Sequence, residues 1–377
     1  MSDCMKIPCA IMRGGTSKGI YIKEEHLPPP GQARDKTLLA IFGSPDVRQI
    51  DGLGGADPLT SKAAIIGPPS IQGADVDYTF GQISIDRALV DYSGNCGNIS
   101  SAVGPFAIDE GFVTATEPIT TVRIHNVNTG KILNAEVPVS NGKAEVLGNC
   151  AIDGVPGTGA EIMLDFSSTA GAITGKLLPT DNVVDTLETS KGKIEVSIVD
   201  VSNVVVFVRA TDIGLSGTET PDQLGANPEM LLYLEEIRAK AAVLAGMAPN
   251  VESATKDTPA FPMIAFVAPA HDYTDFTTGN TIEKDSVDFL SRIMFMQVMH
   301  KTYAGTGTAC TGAAAKIKGT VLHSVIPNVD SLSTLRIGHP AGVIPVEVGI
   351  AEGALTKVAF ARTARRIMDG NVYIVKK

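Results

Sequence analysis

Two stretches of this chain, CGNISSAV at 96–103 and CTGAAAKI at 310–317, each open on a cysteine among Gly, Asn and Thr and then become small and apolar. A helix built of Ala, Gly and Ser lets strands approach it closely from every side, so such a segment suits the inside of a curved sheet. The two read as copies of one device and predict two domains, each wrapped around a central helix. The length of 377 residues allows two domains, and 44% hydrophobic against 19% charged residues supplies packed cores for both.

Around these segments the chain reads as short Val- and Ile-rich runs separated by turn residues. They fall at 6–12, 20–23, 76–85, 122–125 and 144–147, then at 193–199, 204–209, 263–267, 334–337 and 344–348, so each half has its own sheet. Further helices are expected at 33–42, at 228–245 and, after an acidic turn, at 284–297. The stretch 169–185, with Gly171, Gly175, Pro179 and Asn182, is the crossing between halves. It gives domains at 1–180 and 181–364, with a C-terminal strand, 365–377, free to return to the first.

A net charge of -10 without any Lys/Arg-rich block argues against nucleic acid or an anionic membrane as partner. An anionic substrate must therefore be captured locally. The first residues carry no targeting pattern, and the apolar runs are strand-sized, below the ~20 residues that span a bilayer, so a cytoplasmic location is expected. Five cysteines in no CxxC spacing and six histidines in no HxH or HExxH give no disulfide framework and no metal site.

Three segments offer chemistry. In GNCGN, a helix starting at Cys96 would aim backbone N–H groups, including those of Gly97 and Asn98, at a carboxylate, and the same partial positive charge favours thiolate. The bland alternative for any cysteine is a small buried apolar residue; it fits Cys4, Cys9 and Cys150, while Cys310 is open to either reading. In GGADPLTSK, Lys62 follows Ser61 at a loop-to-strand junction. It reads either as a solvated charge or as a group that holds a carboxylate or exchanges a proton. In MRGGTSKG, Thr16 and Ser17 lie in a glycine-rich turn resembling an anion nest, although the Walker A spacing is absent. His300 and His339 stand in turns, where a backbone hydrogen bond accounts for them equally well. Arg362, Arg365 and Arg366 read as a solvated strand face.

Taken together, MRGGTSKG, GADPLTSK, NCGN, GTGTACTGAA and GHPAG stand in the order seen in PrpF-type isomerases, and this resemblance covers essentially the whole chain. It implies an α+β, diaminopimelate epimerase-like fold: two similar domains, each a mainly antiparallel sheet or barrel around a central helix, with the active site between them. It implies a cofactor-independent allylic proton shift on an unsaturated di- or tricarboxylate, (R)-3-methylitaconate to 2,3-dimethylmaleate. Alternative substrates are 2-methylaconitate and 4-oxalomesaconate, and a dicarboxylate-binding protein is the non-enzymatic alternative. Lys62 and Cys96 match the family's catalytic pair, and Cys310 matches the second cysteine of the epimerases. A 1,3 shift moves a proton between two carbons and need not invert one centre, which favours Lys62 and Cys96. Thr16, Ser17, Ser61, Gly97, Asn98, His300, Cys310, Thr311 and Gly312 are the expected substrate-binding residues. A homo-oligomer is compatible with this reading.

Overall fold

The structure, a computed structural model, describes residues 3–351 and 354–376. Residues 1, 2, 352, 353 and 377, which fall within the expected domain ranges, lie outside the described residues. The chain separates into two compact units: Met1–Ala151 with Gly157–Leu164 and Arg362–Lys377, and Ile152–Pro156 with Asp165–Ala361.

In the first unit, β1 (Cys4–Gly14) and β2 (Ser17–Lys23) form a hairpin, and the C-terminal strand Ala364–Val375 runs antiparallel to β1 on its other side. The sheet continues through β3 (Lys62–Gly67), parallel to β2, and β4 (Val76–Ile83), antiparallel to β3. Next come β5 (Val90–Asp91), β6 (Ile119–Asn126), parallel to β4, and β7 (Lys131–Ser140), antiparallel to β6. Helix α1 (Gln32–Phe42) buries Leu38, Ile41 and Phe42 in a cluster with Ile7, Ile20, Ile22 and Ile65.

Helix α2 (Gly97–Asp109) links β4 and β5 to β6, and every one of its residues up to Ile108 is buried. It packs against β1, β2, β3, β6 and β7. Small side chains permit this: a Cβ on Gly104 would lie 2.7 Å from Val137 Cγ2. Overpacking of this kind costs about 1–3 kcal/mol.

The second unit repeats the plan. Its strands are β8 (Asp185–Thr189), β9 (Gly192–Val201), β10 (Asn203–Arg209), β11 (Met263–Pro269), β12 (Phe289–Phe295), β13 (Thr334–His339), β14 (Gly342–Ala351) and β15 (Ala354–Arg362). From β8 to β14 the pairings run antiparallel, antiparallel, parallel, antiparallel, parallel, antiparallel. That is the succession found from the C-terminal strand to β7 in the first unit. Helix α3 (Pro228–Leu244) packs its Tyr233, Leu234 and Ile237 into the apolar cluster of Val206, Val208, Ile264 and Phe266. The buried helix here is α4 (Gly305–Lys316), against β9, β10 and β14, where a Cβ on Gly312 would lie 2.8 Å from Val348 Cγ2.

Three local expectations are corrected. The segment 284–297 is a short turn of helix, Lys284–Ser286, followed by β12 rather than a long helix. All seven residues of FLSRIMF are buried, and a fully buried strand carries no alternation to separate it from a helix. Pairing near 144–147 is confined to Lys143–Ala144, since Val146 and Leu147 point to solvent. The second cysteine does not open its helix: α4 is capped by Ala304, and Cys310 lies in its middle. Among the described residues no helix is long and apolar enough to cross a membrane.

Candidate active site

The turn joining β1 to β2 sets one wall of the site. Gly15 adopts φ +49°, and a Cβ on it would fall 2.2 Å from Asn98 Oδ1; one on Gly14 would fall 2.3 Å from the Asn98 carbonyl. Two glycines are thus what allows the hairpin to touch the first turn of α2, and any side chain there would push the two apart. The turn is tied down from behind, since Gly15 N–H and Arg13 Nη1 both donate to the Thr363 carbonyl, at 2.9 and 2.8 Å.

Cys96 is the N-cap of α2, in extended conformation and half-buried. Its own N–H donates to Asn95 Oδ1 at 2.7 Å, and its carbonyl accepts from Ser100 N–H at 2.8 Å, so the backbone on both sides of the thiol is fixed. The thiol therefore stands where a helix directs its amides and partial positive charge.

Lys62 reaches this thiol from β3. It is 2% exposed, its Nζ donates to Gln82 Oε1 at 2.7 Å, and it lies 5.3 Å from the centre of the Phe80 ring. Gln82 is its cross-strand partner on β4. The Gln82 amide nitrogen donates to the carbonyls of Pro58 and Ser61, each at 3.2 Å, which leaves its oxygen as the acceptor facing Lys62. Burial pushes the Lys62 ammonium below its ordinary pKa, and Cys96, which shares a hydrogen bond with it, and Asp57 oppose that effect. A neutral amide does less for an ammonium than a carboxylate would, so Gln82 does not cancel the effect of burial.

Beside this pair lie the polar groups of the hairpin. Asn98 Nδ2 donates to Thr16 Oγ1 at 3.1 Å, and Asn98 Oδ1 accepts from Thr16 N–H at 3.4 Å and from Arg362 Nε at 3.0 Å. Ser17 is 3% exposed, and its buried Oγ has no hydrogen-bond partner in the structure. Such an orphan hydroxyl costs stability unless something else meets it. The carboxylate of a bound acid would supply that acceptor.

The structure thus brings Lys62, Cys96, Gly97, Asn98, Thr16 and Ser17 together in the first unit. Ser61 is adjacent but committed elsewhere: it is fully buried and donates to Gln49 Oε1 at 2.7 Å, and Gln49 in turn accepts from Ala56 N–H at 2.8 Å. It anchors the loop before Lys62.

In the second unit the expected residues are internal. Cys310 is fully buried, its thiol donates to the Val199 carbonyl at 3.1 Å, and burial raises its pKa well above the ordinary thiol range. Thr311 Oγ1 shares a 2.9 Å hydrogen bond with Tyr303, and Gly312 meets Val346 and Val348. His300 Nδ1 accepts from Thr302 N–H at 3.1 Å, and His339 Nδ1 from Ala341 N–H at 3.2 Å.

Two buried polar residues beside these groups escaped the sequence reading. Gln82 was signalled only as a polar residue inside an apolar strand. Arg362, read as solvated, is 4% exposed, and burial pushes its guanidinium down to about 9. Arg366 pairs with Glu110 at 2.9 Å, and Arg365 alone of the three is exposed. Among the described residues no group of three or more His, Cys, Asp and Glu side chains is placed to hold a metal ion.

The PrpF protein family profile matches residues 4–375. The chain is 63% identical over 376 residues to the 3-methylitaconate isomerase of Eubacterium barkeri, covering 100% of this chain and 99% of the relative. It is 37% identical over 390 residues to the 2-methyl-aconitate isomerase of Shewanella oneidensis, covering 99% and 98%. A crystal structure of methylitaconate-delta-isomerase superposes with a TM-score of 0.81 at 63% identity, over 99% of this chain and 96% of that one. The fold is α+β and diaminopimelate epimerase-like.

Proposed function

Since the chain belongs to the PrpF family, we propose that it isomerises (R)-3-methylitaconate to 2,3-dimethylmaleate, in the cytoplasm and without a cofactor, with Cys96 and Lys62 handling the proton. The observation that carries this reading is the hydrogen bond between a buried lysine of lowered pKa and a cysteine at a helix N-terminus. Similarity to the 3-methylitaconate isomerase selects the substrate.

The substrate carries a methylene on one carboxylate-bearing carbon and a hydrogen on its methyl-bearing neighbour. That hydrogen is both allylic and alpha to a carboxylate. The Cys96 thiolate takes it, the electron pair moves into a new double bond, and the old one opens toward the methylene carbon. Negative charge on the carboxylate oxygens is met by the first amides of α2 and by Ser17 and Asn98. The Lys62 ammonium then protonates the methylene carbon, making the second methyl group.

The enzyme is left as thiol and amine. Transfer of the proton from Cys96 to Lys62 along their shared hydrogen bond restores the starting ionisation. A plain binding protein has no use for such a pair.

Proton NMR of the purified protein with racemic 3-methylitaconate in deuterated buffer tests the proposal. Methylene signals should vanish as dimethylmaleate methyl signals grow. Turnover of only 2-methylaconitate or 4-oxalomesaconate would keep the chemistry and change the substrate; turnover of none of the three would reject the reading.

A further inference from the structure

We propose that Arg362 is a positioning residue that locks the Asn98 amide, and through it the hydroxyl of Thr16, in the orientation that a substrate carboxylate meets; this rests on the reading above. An asparagine amide can turn over at little cost, and its partners decide which end faces where. Arg362 Nε can only donate, and so can Thr16 N–H, and both are directed at Asn98 Oδ1, at 3.0 and 3.4 Å. The amide nitrogen is thereby turned to Thr16 Oγ1 at 3.1 Å, which makes the Thr16 hydroxyl an acceptor on that side and sends its proton elsewhere.

The frame around Arg362 is itself fixed. Its neighbour Thr363 receives hydrogen bonds from Gly15 N–H and Arg13 Nη1, and Gly14 pairs with Ala364. The guanidinium is therefore held in register with the hairpin that Asn98 touches, and Gly15 lacks the Cβ that would separate them, since one there would fall 3.0 Å from Arg362 Cδ. Keeping a guanidinium 4% exposed is costly, and a group needed only to fill space would be aliphatic. Asn98 also sits in the first turn of α2, two residues after Cys96, so an amide turned the wrong way would present a lone pair where a carboxylate should bind.

The test uses the full chain as Arg362→Lys, Arg362→Gln, Asn98→Ala and the double variant Arg362→Gln/Asn98→Ala. Hydrogen exchange of the Asn98 side-chain amide, followed by proton–nitrogen NMR without substrate, should accelerate by about tenfold or more in both arginine variants. With 3-methylitaconate, each single Gln or Ala change should lower kcat/KM by about 10- to 100-fold, mainly through KM, as loss of a charge-assisted hydrogen bond does. The double variant should be no worse than Asn98→Ala. Arg362→Lys, which keeps the charge and one donor, should fall between and covers the case in which the Gln variant does not fold. Unchanged amide exchange, or additive losses in the double variant, would overturn the inference. Wild-type protein inert toward 3-methylitaconate would instead remove the functional reading, and the amide exchange would still decide the role of Arg362.

Discussion

Cys96→Ser and Lys62→Ala each lower kcat on 3-methylitaconate by about 10²–10⁴-fold, the range contributed by a placed acid or base. A serine hydroxyl keeps the size of the thiol but is not ionised near neutrality without a strong base beside it, so the α2 N-terminus alone cannot replace the lost thiolate. An alanine at position 62 removes the donor to the methylene carbon and the group that returns Cys96 to its starting state. The combined variant should fall little further than either single one, because the two residues act as a unit. Cys310→Ala is the contrasting control: this thiol donates to the Val199 carbonyl inside the second unit, so its loss should leave kcat alone while costing about 1 kcal/mol of stability. Steady-state kinetics and thermal melts separate the three cases, and near-normal rates for both Cys96→Ser and Lys62→Ala would end the proposal.

The second large effect comes from Gln82→Glu. It places a carboxylate where a neutral amide oxygen now lies 2.7 Å from Lys62 Nζ. Burial lowers the Lys62 pKa in the native protein; an opposite charge at that distance favours the ammonium and raises it again, by about 1–3 pH units. The sign of the consequence depends on the role of the lysine. As the acid it must be protonated, activity is lost as pH rises through its pKa, and the variant carries that alkaline limb to higher pH. As the base it must be neutral, activity is lost as pH falls through its pKa, and the variant would be nearly dead at neutrality. With Cys96 as thiolate and Lys62 as ammonium the first result is expected. A pH–kcat profile showing the second would reverse the assignment.

How much of this was legible in the chain differs from residue to residue. The small-residue segments announced buried helices because packing density leaves no other use for so many Ala and Gly in a row. The element at 284–297 misled for a related reason: a strand buried on both faces loses the alternation that distinguishes it, and Phe289, Ile293 and Phe295 fit either period. Cys310 was misplaced by local likeness to Cys96, yet Cys96 is itself the N-cap of its helix, whereas residues 305–309 already form the first turn of α4 ahead of Cys310. Lys62 was visible as a lysine at the mouth of an apolar strand. Its partner Gln82 was not, because the connection 68–75 between β3 and β4 does not by itself fix the register that pairs the two residues. Arg362 shows the same limit more sharply: its burial depends on a contact with Asn98, hundreds of residues earlier, that no window along the chain could contain.

The repeated strand plan also fixes an asymmetry. In the second unit the place of Lys62, first residue of its strand, is taken by Met263, and the N-cap place of Cys96 by Ala304. Neither side chain can exchange a proton. If Lys62 and Cys96 handle the proton as proposed, both groups come from one copy and share a hydrogen bond, so they would meet the substrate from one side, and the hydrogen would leave and arrive on the same face of the planar dienolate. On that assignment the transposition should be suprafacial, and a stereospecifically tritiated methylene turned over in deuterium oxide should yield a chiral CHDT methyl group of one handedness; the opposite handedness would place one of the two groups across the plane.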